Sequence, residues 1–226
     1  METLIKIFEF VGIFAFAISG SVVAMRERMD IFGVCCVACI SALGGGVLRD
    51  VVADLGVPAF FSSYPPVVTV FAAAAIALIF RERLILGTPF VLLDALGLSV
   101  FVISAGVKGI ESGYSFMLYI FVSTITGVGG GILRDIVCNK KPDIFQRDIY
   151  SLVGILGVVI LWIIYPHTGH LLSMSLSMSV IIIVRMVCYF YNINLPAVRY
   201  RRKVCRDYVG NVRECGDEKL NSEKKQ

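Results

Sequence analysis

"SALGGGVLRD" occupies Ser41 to Asp50 and sets three glycines and an arginine–aspartate pair inside an apolar run nearly long enough to span a membrane. "TGVGGGILRD" occupies Thr126 to Asp135 and does the same. Each glycine in a helix interior costs about 1 kcal/mol relative to alanine, so a triplet weakens the turn that carries it. Charges inside hydrocarbon are costly and face a partner or a cavity. A chain that accepts both penalties twice is organised around those two places.

The composition agrees with a membrane setting. Of 226 residues, 57% are hydrophobic and 17% charged, with a mean hydropathy of +0.82, which places the chain among membrane proteins. The formal net charge is +4, much of it in the C-terminal tail, so nucleic acid is not the expected partner. Only Lys6 precedes the first apolar run and no small-residue cleavage site closes it, so the run reads as a span and not as a secretory signal. Seven cysteines, mostly inside apolar segments, argue against a disulfide framework; they read as small buried hydrophobes. "CCVAC" puts Cys35 and Cys39 on one helix face, but no histidine or acid lies close by in sequence, and no metal is expected.

Crossing hydrocarbon takes roughly 20 helical residues, which predicts spans at about 4–24, 31–53, 64–80, 89–108, 114–138, 149–166 and 170–191, the third and sixth short. "SSYPP" and "TP" read as helix starts for the third and fourth, with Ser or Thr near the cap and proline in the first turn. Arg26 and Arg28, Arg81 and Arg83, then Lys140, Lys141 and Arg147, and finally "VRYRRKVCR" follow alternate spans. Those segments share one side, so the N-terminus is expected outside and the C-terminus in the cytoplasm. The stretch after about residue 199 is polar and without apolar periodicity, which predicts a mobile tail.

The two glycine stretches belong to a longer repeat at an offset of 85 residues. Gly44, Gly45 and Gly46 fall on Gly129, Gly130 and Gly131; Arg49 and Asp50 fall on Arg134 and Asp135. Upstream, Glu9 meets Asp94, Gly12 meets Gly97, Phe16 meets Phe101 and Ser19 meets Ser104. Three spans per repeat is an odd number, so the second repeat enters from the opposite side. Inverted repeats of this kind place a substrate or ion site near the midplane on discontinuous helices. The predicted fold is thus an all-α membrane protein of seven transmembrane helices: two inverted three-helix repeats plus a seventh helix, the second and fifth helices kinked at GGG. The first repeat takes 1–86, the second 87–168, the seventh helix 169–195, and a basic, then polar cytoplasmic tail 196–226.

Two readings of the glycines stand. In one, a break opens backbone carbonyls onto a wet space, where they replace part of a cation's hydration shell, with Ser41, Ser123, Thr124 and Thr126 supplying hydroxyls beside it. In the other, the glycines are a close-packing face between helices. The symmetric Arg-Asp pairs weigh towards the aqueous pathway. Arg49 and Arg134 either pair with their neighbouring aspartates or reach Glu9 and Asp94 across helices, and act as gate or selectivity elements or as scaffolding. Lys108 projects into an outer vestibule or snorkels to the interface. Arg185 in the seventh span reads as snorkelling to the cytoplasmic side. His167 and His170 fall in a solvated loop. No nucleophile with its base, phosphate loop or paired-carboxylate site appears, so the chain is not read as an enzyme.

Seven spans, two inverted repeats and a "GGGxxRD" in the second and fifth spans resemble the trimeric intracellular cation channel family, in its prokaryotic branch, over roughly residues 4 to 191. The resemblance implies a homotrimer in a bacterial plasma (inner) membrane, each subunit with its own pore, conducting potassium and lined by the kinked second and fifth helices. It puts Gly44 to Gly46, Gly129 to Gly131, Arg49, Asp50, Arg134 and Asp135 on that pathway. It also leaves room for bound membrane lipid, and for no catalytic cofactor. The family's role in calcium release in animals, and the phosphoinositide associated with those members, are not carried over to this shorter chain. The competing reading is a secondary transporter of a small zwitterion such as glycine, in which arginine and aspartate would hold a carboxylate and an ammonium group.

Overall fold

Asp30 starts the second helix: its carboxylate accepts from the Gly33 amide at 2.7 Å, filling one of the donors that a helix start leaves open. The third helix starts on Pro65 and Pro66, where proline loses nothing; its cap residue is Tyr64, without a side-chain bond. In this computed structural model, described over residues 2–58, 61, 64–81, 88–142, 149–191, 193, 204–206 and 212–214, such starts delimit seven helices. They are α1 (Glu2–Arg26), α2 (Ile31–Val52), α3 (Pro65–Ile79), α4 (Thr88–Glu111), α5 (Phe116–Val137), α6 (Ile149–Ile164) and α7 (His170–Phe190). Five of them are long and apolar enough to cross a membrane, and Pro65–Ile79 and Ser151–Ile164 are shorter apolar helices, in line with the short third and sixth spans read from sequence.

The offset of 85 residues governs the packing as well as the sequence. Phe16 of α1 stacks on Phe101 of α4, ring centroids 5.4 Å apart. Each ring also covers the other helix's glycine: a Cβ added at Gly97 would strike the Phe16 ring, and one at Gly12 would lie 3.4 Å from the Phe101 ring. Residue 12 faces 101 and residue 16 faces 97, so the helices run antiparallel about a pseudo-twofold axis. α2 and α5 cross on the same plan. A Cβ at Gly45 would strike the carbonyl oxygen of Thr126, and one at Gly130 that of Ser41. A Cβ at Gly44 would lie 2.8 Å from Leu133, and one at Gly129 2.6 Å from Leu48.

The turns repeat too. Arg28 and Gly113 have φ of 58° and 67°, and Asp54 and Asn139 have 51° and 54°. Asp and Asn are the side chains that tolerate this left-handed region best. The amides of Ala53 and Cys138 close the two helices onto the carbonyls of Arg49 and Arg134.

These contacts correct one expectation. α2 and α5 are each a single α-helix through their glycine triplets, with no interruption that would turn backbone carbonyls to a wet space. Four of the six glycines are spent on the crossing, where a side chain would collide with the facing helix. Gly131 is buried in α5, and an added Cβ at Gly46 would meet nothing within 4 Å.

α1 and α4 are the best-covered spans, 67% and 72% buried, against 28% for α7. α4 packs on α1, α5, α6 and α7. The Tyr119 hydroxyl of α5 donates to the Val158 carbonyl of α6 at 2.9 Å, which satisfies a polar group that lipid could not.

Residues 195–226 form a separate compact unit. Within it β1 (Val204–Arg206) pairs antiparallel with β2 (Val212–Glu214), Cys205 opposite Arg213. This ladder lies in the stretch after residue 199 that the sequence reads as a mobile tail. Ser62, Ser63, Arg83 and Arg147, named above among helix starts and side-determining charges, lie outside the described residues.

Candidate functional site

The end of α5 carries a buried network of charges. Arg134 is 1% exposed and Asp94 2%. Arg134 Nε donates to Asp135 Oδ1 at 2.8 Å, and Nη1 donates to Asp94 Oδ1 at 2.8 Å and to Ser19 Oγ at 2.9 Å. Ser19 Oγ donates to the same Asp94 oxygen at 3.1 Å. Arg185 of α7 donates to Asp94 Oδ2. The Phe90 ring lies under both Arg134 and Arg26, at 5.8 and 4.7 Å from its centroid. Removing one partner from such a buried pair costs about 3–5 kcal/mol, because the other charge is left without compensation.

The end of α2 carries the counterpart. Arg49 Nε donates to Asp50 Oδ1 at 2.8 Å, and Nη1 lies 3.9 Å from Glu9 Oε1. Lys108 Nζ of α4 donates to that Glu9 oxygen at 2.5 Å. In each repeat, then, the arginine holds its neighbouring aspartate and also reaches the acid on the repeat's first helix. Both pairings read from sequence occur together. Ser104, the counterpart of Ser19, takes no part and donates instead to the Phe101 carbonyl in its own helix at 3.4 Å.

Solvent access separates the two ends. The Glu9 and Lys108 side chains are 22% and 41% exposed. Two cavities, about 290 and 250 Å³, both reach Arg49, Asp50 and Lys108. The larger runs between α1, α2 and α4, with Phe10, Ile13, Leu43 and Phe101 in its walls, Lys6 at its rim and Gly46 in its lining. The smaller passes Leu55, Ser112, Tyr114 and Val122. Neither includes Arg134, Asp135 or Asp94. The two carboxylates that the cavities reach, Glu9 and Asp50, are thus already paired with Arg49 and Lys108.

The hydroxyl residues do not gather into one site. Thr126 donates to the Val122 carbonyl of its own helix at 2.6 Å. Ser41, Ser123 and Thr124 have buried hydroxyl oxygens without a partner among the described residues, and neither cavity includes them. His170 packs edge-on against Tyr165, far along the chain from either cluster. Two residues do more than their sequence context indicates. Ser19 appeared only as a repeat position, and Arg185 was expected to snorkel; its side chain is 12% exposed and bound to Asp94. The available signal was that Arg185 is the single Lys, Arg, Asp or Glu in α7.

The glycine transporter family model matches the chain twice, over residues 6–82 and 91–166. The inner membrane protein YadS of Escherichia coli is 33% identical over 83% of this chain and 93% of its own length. The membrane protein YvgT of Bacillus subtilis is 30% identical over 84% and 95%. Among solved structures, one from a study of conductance through TRIC cation channels superposes with a TM-score of 0.79 at 29% identity, covering 88% of this chain and 98% of its own. A prokaryotic TRIC channel in 0.5 M KCl superposes with a TM-score of 0.80 at 25% identity, covering 86% and 100%.

Proposed function

The chain belongs to the glycine transporter family of membrane proteins, which includes the TRIC channels, and from that premise we propose that it is a passive channel for monovalent cations, chiefly potassium. One observation carries the reading: cavities open onto Glu9 and Asp50, while Arg49, the arginine beside them, is neutralised by those same carboxylates. Buried arginines oppose cations only when their charge is uncompensated. Here the compensation is local, since Glu9 and Asp50 offset Arg49 and Lys108 in the cavity lining.

The pathway continues along the α2–α5 crossing to the Arg134 cluster, which is its closed end. Opening bends α2 and α5 at their glycine triplets, where helical stiffness is lowest. The subunits assemble as a homotrimer with one pore each, and membrane lipid fills the spaces between them. The positive loops put the N-terminus outside and the C-terminus in the cytoplasm of a bacterial inner membrane.

Planar-bilayer recording under a KCl gradient tests this. Discrete openings that reverse near the potassium equilibrium potential support it, and reversal near the chloride potential refutes cation selectivity. Saturable uptake of labelled glycine into vesicles, with no unitary current, would make the protein a carrier.

A further inference from the structure

Asp94 is held from three directions, by α1 through Ser19, by α5 through Arg134 and by α7 through Arg185. The division is uneven. Ser19 and Arg134 both bind Oδ1, whereas Oδ2 is bound by Arg185. α7 stands outside the duplicated unit and is the least covered of the five long helices. The α2 end has no such arrangement, because the second cation on Glu9 is Lys108 of α4, a helix in the centre of the bundle. Closure of the α5 end thus depends on a guanidinium carried by a peripheral helix.

We propose that Arg185 occupies Asp94 as a surrogate for the permeant cation, so that withdrawal of α7 turns the Asp94 carboxylate into a monovalent-cation site and opens the α5 end. Withdrawing Arg185 leaves Oδ2 buried without a partner, a state that costs too much to persist. A permeant cation offers the same unit charge without a tether, and it enters as the guanidinium leaves. α7 can supply this control because little of its surface is packed against the rest of the bundle. The inference rests on the cation-channel reading, and it assigns to Arg185 a positioning role that acts through Asp94.

Three variants and two readouts test it, in the full chain reconstituted in liposomes. Arg185→Gln is expected to raise basal potassium efflux by about tenfold, as a minor open population becomes the major one. Arg185→Lys, with a shorter reach and one donor point in place of a fork, gives an intermediate rise of about threefold. The double variant Asp94→Asn with Arg185→Gln loses that rise and conducts no more than wild type, because the carboxylate that draws the cation in is gone. In detergent, Arg185→Gln gains about 3 °C in Tm in KCl over choline chloride at equal ionic strength, a shift that wild type lacks.

Efflux from Arg185→Gln equal to wild type overturns the proposal. So does a double variant as leaky as the single one, since loosened α7 packing would then be the cause. If Arg185→Gln is not recovered as folded protein, Arg185→Lys decides alone, and wild-type efflux from it overturns the proposal. Absence of unitary current in wild type defeats the channel reading instead, while the potassium-dependent Tm shift reads the site without any conduction.

Discussion

Adjacent glycines in α2 should respond to alanine with opposite signs. At Gly45 the new methyl meets a backbone oxygen, that of Thr126, which no rotamer change can move. Relief requires α2 and α5 to part by on the order of 1 Å, and a gap of that size forfeits roughly a quarter to a half of each dispersion contact along the crossing. Overpacking of this kind costs about 1–3 kcal/mol, against a gain of about 1 kcal/mol from the better helix former. At Gly46 nothing lies within 4 Å, so the gain stands by itself.

The pseudo-twofold adds a sharper expectation. Gly130→Ala collides with the Ser41 carbonyl on the other side of the same crossing. One outward shift of the helices relieves both collisions, so Gly45→Ala and Gly130→Ala should be strongly sub-additive. The assay is thermal unfolding of the purified protein in detergent, followed by loss of the monodisperse size-exclusion peak. At about 2–4 °C per kcal/mol, each crossing variant falls by a few degrees, the double falls little further, and Gly46→Ala rises. Equal losses at Gly45 and Gly46, or additive losses at Gly45 and Gly130, would refute the reasoning. If instead the triplet acts only as a hinge, Gly45 and Gly46 should alter conduction alike and stability hardly at all.

Arg134→Gln should cost about 3–5 kcal/mol, because it leaves Asp94 and Asp135 buried in their cluster, whereas Arg49→Gln should cost less than half as much beside its cavities; Tm values of the two variants check the ratio. Glu9→Gln should lower unitary cation conductance more at low KCl than at high, since screening at high salt removes most of what the carboxylate contributes; a loss that does not depend on salt would place its effect elsewhere. Tyr119→Phe removes the hydrogen bond to the Val158 carbonyl and should cost about 1 kcal/mol, read as a Tm loss of a few degrees. Glu27→Gln, which breaks the half-exposed pair with Lys140 at 2.8 Å, should change Tm by less than about 2 °C, because surface ion pairs contribute little.

Much of the architecture was legible because membrane spans obey a length rule and duplicated sequence obeys a register. Within the register 9/94, 12/97, 16/101 and 19/104, the middle two pairs meet about one axis: Phe16 lies on Phe101, and Gly12 and Gly97 each lie under the other helix's ring. The pairing of Arg49 and Arg134 with Glu9 and Asp94 was legible as an alternative for the same reason. The purpose of the glycines was not. Three small residues in a row are equally consistent with a broken helix and with a close crossing, and only the position of the facing carbonyls decides between them.

By itself, then, the sequence determined the number of helices, the inverted relation of the two halves and the candidate partners of Arg49 and Arg134, because each follows from local composition or from an offset along the chain. The tertiary structure alone decided that both glycine helices stay whole, that two cavities reach one charge cluster and not the other, and that Arg185 belongs to the latter. Those are properties of distance between helices, and an intramembrane charge takes whichever partner the packing brings within reach, since hydrocarbon offers it no other.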